Sequence, residues 1–126
     1  EARIQVARNV LAAAEAGVQV PRRLHVAARG AALFAQNCTG CHADDARGGV
    51  GPDLTTLSAR NGGVFPWDRV LGQIDGLGRH GDPDAVMPEF GARGSGDTVV
   101  VERDGLGVPV PVDLLALVTF LEGVQG

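Results

Sequence analysis

The stretch Cys38-Thr39-Gly40-Cys41-His42 determines how the rest of this chain is interpreted. Two cysteines three positions apart on one turn of helix can reach the two vinyl groups at one edge of a porphyrin, and the histidine that follows can turn its imidazole toward the iron. The pattern therefore predicts one covalently bound haem c, attached through Cys38 and Cys41, with His42 as an axial ligand of the iron.

Other uses of paired cysteines fit the pentapeptide less well. A thioredoxin-like redox pair opens the helix of a βαβ unit and does not require a histidine directly after it. A structural zinc site needs four ligands, whereas the chain has only two cysteines, no second pair, and three histidines. A disulfide between residues three apart is geometrically awkward. Covalent haem is the interpretation that uses both cysteines and the histidine.

Composition and charge agree with a bound cofactor and limit the partners. Aromatic residues make up only 4% of the 126 residues, so the sequence predicts that a non-protein group fills part of the centre. The net charge is −4 and there is no lysine. Residues 1–30 carry five Arg and two Glu, whereas residues 31–126 carry six Arg and thirteen acids. This balance argues against nucleic acid and favours redox partners with a basic docking surface.

Helical periodicity divides the chain into an extension and a main domain. Residues 2–16 are predicted to form a helix followed by a linker, so residues 1–22 form an N-terminal extension that could dock to a partner. Residues 23–126 form the main domain, whose first helix is predicted at 24–37. No apolar run is long enough to predict a membrane span.

The second half of the chain is predicted to contain two more helices and a β-hairpin. Pro66 is expected at the first position of a helix that Gly76 ends. The turn Asp104-Gly105 predicts a hairpin with strands at 98–101 and 108–112. Because Pro109 and Pro111 cannot donate to a sheet ladder, the second strand should be short or at an edge. The last helix is predicted at about 111–122.

From about Val26 to Val124 the sequence resembles the class I cytochrome c family. In that family the helix before the attachment motif crosses the last helix at a Gly that is followed four residues later by an aromatic residue. Gly30 and Phe34 match this pattern, with Phe120 or Leu121 as the partner on the last helix; ordinary core packing is an equally compatible role for the two phenylalanines. The resemblance implies a mostly α fold, with three to five helices around one covalent haem.

The segment that follows the attachment motif also resembles the family. The Pro52 carbonyl is implied to accept a hydrogen bond from His42, which would fix the ring tautomer. By the same resemblance, Leu54 and Leu57 pack against the haem edge and Arg60 lies near a propionate. An ordinary solvated side chain is the alternative for Arg60.

Met87-Pro88-Glu89-Phe90 resembles the distal-ligand motif of the family. Met87 is the only methionine in the chain, so the resemblance implies a His/Met-ligated iron, with Phe90 in the haem environment. His80 is the rival for the sixth position, although neighbouring Gly and Asp residues favour an exposed loop. Trp67 is a candidate for packing at the haem edge, with core packing as its alternative.

Together these features predict a monohaem cytochrome that shuttles single electrons between redox proteins and has no catalytic residues. Because haem c is attached outside the cytoplasmic membrane, we expect the protein in the periplasm; a signal or anchor segment is not present in this chain. Asp82, Asp84 and Glu89 could form a docking patch or a merely solubilising face. Two alternatives are a haem subunit permanently docked in a larger redox complex and a haem enzyme or gas binder with an open iron site.

Overall fold

The computed structural model of this chain describes residues 22–76, Met87 and residues 97–126. The predicted helix at 2–16 lies outside those residues, so the domain boundary stays a prediction. Within the described residues the fold is mostly α with one two-stranded sheet before the last helix, as predicted. The elements are α1 (Arg22–Asn37), α2 (Thr39–His42), a 3-10 turn (Ala59–Asn61), α3 (Trp67–Asp75), β1 (Thr98–Arg103), β2 (Leu106–Pro111) and α4 (Val112–Gly123).

Helices α1 and α4 cross in close backbone contact at Gly30. A Cβ atom built on Gly30 would overlap the Ala116 carbonyl and lie 2.7 Å from the Phe120 Cβ, so only glycine fits there. One turn later, Phe34 and Phe120 pack with ring centroids 5.3 Å apart and ring planes tilted by 42°. The sequence prediction of this crossing is confirmed.

One face of the α1–α4 crossing continues into the apolar core, and an ion pair lies beside it. The Arg29 Nε donates to the Asp113 carboxylate at 2.8 Å, which pairs the buried acid in the first turn of α4. Because an unpaired buried carboxylate is costly, this bond fixes α1 against the start of α4. The largest fully buried side chains are Phe34, Phe120, Leu117, Val110 and Val118.

Helix α3 begins one residue later than predicted. Pro66 is the cap rather than the first helical residue, and its carbonyl accepts the Val70 amide at 2.9 Å. Gly76 ends the helix in a left-handed conformation with φ of 99°, as its position after the apolar stripe predicts. Val70 and Ile74 bury the inner face of α3 against the core.

The hairpin is longer than predicted. Both strands have six residues, and they pair from Thr98 opposite Pro111 to Arg103 opposite Leu106. β2 keeps six paired residues although it contains Pro109 and Pro111, and it lies at an edge of the two-stranded sheet, which the prediction of a short or edge strand allows. The reason is the register, which places both prolines of β2 opposite residues with which they need not exchange hydrogen bonds.

The last residues of the chain hold the loop that precedes the 3-10 turn. The Gln125 amide nitrogen donates to the Leu54 carbonyl at 2.7 Å, and its oxygen accepts the Ser58 amide at 3.0 Å. The Gly126 amide donates to the Thr55 carbonyl at 3.0 Å. These bonds fix Leu54 and Leu57 against the core.

Among the helices of the described residues, none has the length and apolar character that a membrane crossing requires.

Candidate functional site

The two cysteines lie on the tight turn that joins α1 to α2. The Cys38 amide still donates to the Phe34 carbonyl at 2.9 Å, so the turn continues directly from α1. The Cys38 carbonyl then accepts the His42 amide at 3.0 Å. Cys38 is half-buried and packs against the core, whereas Cys41 is exposed, and neither forms a disulfide. Both sulfurs are therefore free to bind a group that lies along this turn.

The His42 ring is buried and has a defined orientation. Its Nδ1 lies 2.9 Å from the Pro52 carbonyl oxygen, the contact that the family resemblance implies. Since a carbonyl oxygen can only accept, Nδ1 carries the proton and the neutral ring has its lone pair on Nε2. No hydrogen bond to Nε2 is found in the part of the chain that the structure describes. Nε2 is thus available as a metal ligand.

The loop after α2 passes closely behind the imidazole. Ala43, with a positive φ of 66°, turns the chain back on itself directly after His42. The Gly51 amide then donates to the Cys41 carbonyl at 2.6 Å. A Cβ on Gly51 would lie 2.6 Å from the His42 Cε1, which is closer than carbon atoms approach. The ring therefore fits between the turn and a loop that must be bare of side chains at Gly51.

Electrostatics also distinguish the cysteine pair from a redox-active dithiol. Burial of Cys38, reinforced by the nearby Cys41, raises the pKa of the Cys38 thiol to about 11. Thiol–disulfide exchange requires a thiolate, and reactive cysteines have lowered pKa values. The Cys38 sulfur stays a thiol at neutral pH, which argues against the thioredoxin-like alternative.

Met87 packs against the core beside α3. The Gln73 side-chain amide lies 3.9 Å from the Met87 sulfur, within the range of a weak N–H···S hydrogen bond. Met87 is half-buried and contacts the core cluster to which Cys38 also packs. The Met87 thioether thus packs against the same core cluster as Cys38, beside a Gln73 contact that the sequence did not reveal.

The predicted apolar surroundings form one continuous cluster. Phe34 belongs to the buried core, and Leu54, Leu57 and Trp67 pack against it as half-buried side chains. Phe65 and Leu71 join the same cluster, although neither was predicted as part of the site. Half-buried apolar side chains of this kind are suited to packing against a flat macrocycle.

Arg60 is engaged in local contacts. Its Nη2 donates to the Asp53 carbonyl at 2.5 Å, and its Nε donates to the Thr56 hydroxyl at 3.1 Å. These bonds fasten the 3-10 turn to the loop that carries Leu54. The predicted propionate contact of Arg60 stays a prediction.

Trp67 is covered on one side by the hairpin. The Arg103 guanidinium carbon lies 4.2 Å from the Trp67 ring centroid, a cation–π contact. The Arg103 Nη2 also lies 3.5 Å from the Asp68 carboxylate. This contact ties the end of β1 to the start of α3, and it is a second role for Trp67 beside core packing.

The remaining predicted residues lie outside the part of the chain that the structure describes; they are His80, Asp82, Asp84, Glu89 and Phe90.

Two residues of the site were missed because their roles depend on tertiary contacts. Gly51 directly precedes Pro52, and nothing local in the sequence shows that a side chain there would clash with the His42 ring. Gln73 contacts Met87, which is fourteen residues away in the sequence. Helical periodicity predicts only that Gln73 lies on a polar face and cannot reveal this contact.

The donor set fits a covalently bound haem. Two sulfurs on one turn, an imidazole with Nε2 free of hydrogen bonds within the described residues, and a thioether at the same core are the groups that a c-type haem requires. Because Gly51 has no side chain, its backbone can pass close to the His42 ring. The site therefore combines the attachment chemistry and the axial-ligand chemistry of such a group.

Comparison with known protein families finds a match over more than half of the chain. The family model described as cytochrome C oxidase, cbb3-type, subunit III, matches residues 25–100. That range begins in α1 and ends in β1, so it includes the cysteine turn, the His42 loop, α3 and Met87. Comparisons with curated proteins and with solved structures give no significant match.

Proposed function

The chain belongs to the cytochrome c oxidase, cbb3-type, subunit III family, a class I-like c-type cytochrome domain, and from this premise we propose that it is a monohaem electron carrier of the periplasm. Membership of a cytochrome c family implies covalently bound haem c and electron transfer. Bound at this site, the haem supplies an iron that exchanges single electrons between its ferrous and ferric states. We propose that Cys38 and Cys41 hold it and that His42 and Met87 are the axial ligands.

The observation that carries the proposal is the hydrogen bond from the His42 Nδ1 to the Pro52 carbonyl, at 2.9 Å. It orients the ring, leaves Nε2 as the ligand atom and raises the basicity of the imidazole. The cysteine turn also holds the backbone of His42, whose amide donates to the Cys38 carbonyl at 3.0 Å. A ligand held in this way stays in place in both oxidation states, so each electron transfer requires little rearrangement.

Met87 and its neighbours support a six-coordinate iron. The thioether favours ferrous iron, and the apolar cluster around it penalises the extra positive charge of the ferric state. Both effects raise the reduction potential. A sixth ligand from the chain also closes the iron to small molecules, which favours electron transfer over the open-site alternative.

The test combines mass spectrometry and spectroscopy of the matured protein. We expect a mass increase of one haem. We expect Met87→Ala to abolish the charge-transfer band that marks sulfur–iron bonding and to let the ferrous protein bind carbon monoxide rapidly. His80→Ala is the matched control and should leave both properties unchanged. The absence of added haem would refute the whole proposal, whereas an effect of His80→Ala alone would refute only ligation by Met87.

A second candidate is a haem subunit that stays docked in an oxidase complex. The description of the matched family, which names a subunit of a cbb3-type oxidase, favours it. Native membranes and the periplasmic fraction distinguish the two roles. Haem-stained chain that migrates with a large membrane complex after mild solubilisation would support the docked subunit, whereas free chain in the periplasmic fraction would support the shuttle.

A further inference from the structure

The hairpin alternates between residues that bond across the ladder and residues whose backbone groups point outward. Asp104 and Gly105 form a two-residue turn with φ of 52° and 80°, so the pair that flanks the turn is hydrogen-bonded. Bonded pairs recur at every second position from there. The Val112 amide, which donates to the Asp97 carbonyl at 2.9 Å, continues the same alternation. The backbone groups of the even-numbered residues of β1 therefore point away from β2.

The outer edge of β2 is closed to another strand. Pro109 pairs with Val100 and Pro111 pairs with Thr98, both at positions where the two strands do not bond. A residue at such a position would direct its N–H outward, and proline has none. The two prolines thus leave the ladder intact while removing two donors from the free edge of β2.

No strand of the described residues covers the outer edge of β1. Thr98, Val100 and Glu102 are exposed, and Val100 is 75% exposed although it is a large apolar residue. No hydrogen bond to the backbone of these three residues is found within the described part of the chain. Among the described residues, one edge of the hairpin is therefore protected by proline, whereas the other leaves the outward backbone groups of Thr98, Val100 and Glu102 unpaired, with the exposed Val100 at its centre.

We propose that a second copy of this chain pairs with this outer edge, β1 antiparallel to β1, about a two-fold axis at Val100. In this register the three valines of 99–101 lie opposite valines of the second copy, which no other symmetric register achieves. Asp97 lies opposite Arg103, so opposite charges face each other. The result is a four-stranded sheet across the dimer.

The flanking residues of β1 also distinguish between registers. With the axis at Val100, each Glu102 lies opposite Thr98, and these pairs together with the central Val100 pair complete the ladder. Moving the axis by two residues, to Glu102, shifts the register by four residues and brings two like charges together, which is destabilising. Val110 of β2 is buried, whereas Val99 of β1 is 37% exposed, so β1 lies on the outer side of the hairpin, where a second copy can approach.

The first experiment measures the mass of the haem-loaded protein in solution from micromolar to millimolar concentration. We expect a dimer of the 13.0 kDa chain at the upper end. Val100→Pro removes an outward N–H without touching the β1–β2 ladder, and it should leave a monomer with an unchanged circular dichroism spectrum. Val100→Thr keeps that N–H and should remain dimeric. A monomer at every concentration, or a dimer that survives Val100→Pro, would overturn the proposal.

A cysteine pair tests the register separately. At a two-fold axis the Cα atoms of a bonded pair lie about 5.5 Å apart, within reach of a disulfide. Val100→Cys should therefore cross-link under mild oxidation. Thr98→Cys lies on the same strand and face, but in this register its two copies would be about 14 Å apart along the strands. It should therefore not cross-link. Equal cross-linking of both variants would refute the register, and cross-linking of neither would refute the dimer.

Discussion

At the scale of single residues, the site depends on a ring that is held from several sides. His42 is fixed by its own turn, by the Pro52 carbonyl and by a loop that passes too close for any side chain at Gly51. The motif predicts that His42 is the iron ligand, but only these contacts set the tautomer and the direction of its ring. Substitutions of residues that contact the His42 ring are therefore expected to disturb the site as much as substitutions of His42 itself.

Gly51→Ala tests this closeness. The new Cβ would lie 2.6 Å from the His42 Cε1 and 2.8 Å from its Nδ1, so the ring or the loop must shift. We expect the haem-loaded protein to lose about 1–3 kcal/mol of unfolding free energy, measured by denaturant titration. Gly40→Ala, on the same turn, meets nothing within 4 Å and should be tolerated. Equal effects of the two variants would show that the loop yields easily.

Asp53 links the same loop to pH. The hydroxyl and then the amide of Thr55 donate to its carboxylate and lower the pKa of Asp53 below its ordinary value of 3.8. Its ionised form thus stabilises the fold above pH 3.8, and this contribution is lost as the pH falls through the lowered pKa. We expect Asp53→Asn to be less stable than wild type at neutral pH, with the difference shrinking below pH 3.8.

Denaturant midpoints measured across the acid range check the sign of this prediction. Thr55→Val serves as the matched variant because it removes the hydroxyl, the largest cause of the shift. It should retain part of the pH dependence through the remaining amide bond. If the difference in denaturant midpoint between wild type and Asp53→Asn stayed constant with pH, ionisation of Asp53 would not contribute to the stability of the fold.

At the scale of elements, the crossing of α1 and α4 sets how closely the core can pack. The overlap of a Gly30 Cβ with the Ala116 carbonyl involves backbone atoms, which cannot rotate away. We expect Gly30→Ala to destabilise the protein by about 2 kcal/mol or more, since overpacking outweighs the gain of about 1 kcal/mol in helix propensity. Thermal unfolding measures it.

Gly123 provides the matched control on α4. A Cβ there meets nothing within 4 Å, so Gly123→Ala should be neutral or slightly stabilising. If Gly30→Ala were equally harmless, the two helices would have to separate at little cost, contrary to the tight packing of Phe34 against Phe120.

The elements also show what sequence patterns can predict. Among the described residues, the helices α1, α3 and α4 were placed to within two residues, as α3 and its Gly76 cap illustrate. Whether a proline harms a strand depends on its register, which is set by the pairing partner, so the sequence alone could not show that both prolines of β2 fit the ladder. The turn at Ala43 was invisible for a similar reason, since alanine gives no sign of a positive φ.

At the scale of the whole molecule, distant parts of the chain converge on the site. The end of the chain holds Leu54 in place through Gln125, and β1 reaches Trp67 through Arg103. Neither link involves the attachment motif, and neither could be predicted from local sequence. The motif therefore identified the chemistry of the site, whereas the contacts that hold its surroundings required the fold.

The net charge of −4 leads to a prediction about reaction partners. A cationic oxidant should be attracted to the reduced protein, and salt should screen that attraction over roughly a Debye length of about 10 Å at 0.1 M. We therefore expect the second-order rate of oxidation by a cationic metal complex to fall as ionic strength rises. The rate with an anionic complex should rise, because the screened interaction is repulsive. Stopped-flow absorbance of the haem measures both rates under the same conditions. The same sign for both complexes would show that the potential near the electron-transfer site does not follow the net charge, and a partner with a basic docking surface would then no longer be expected.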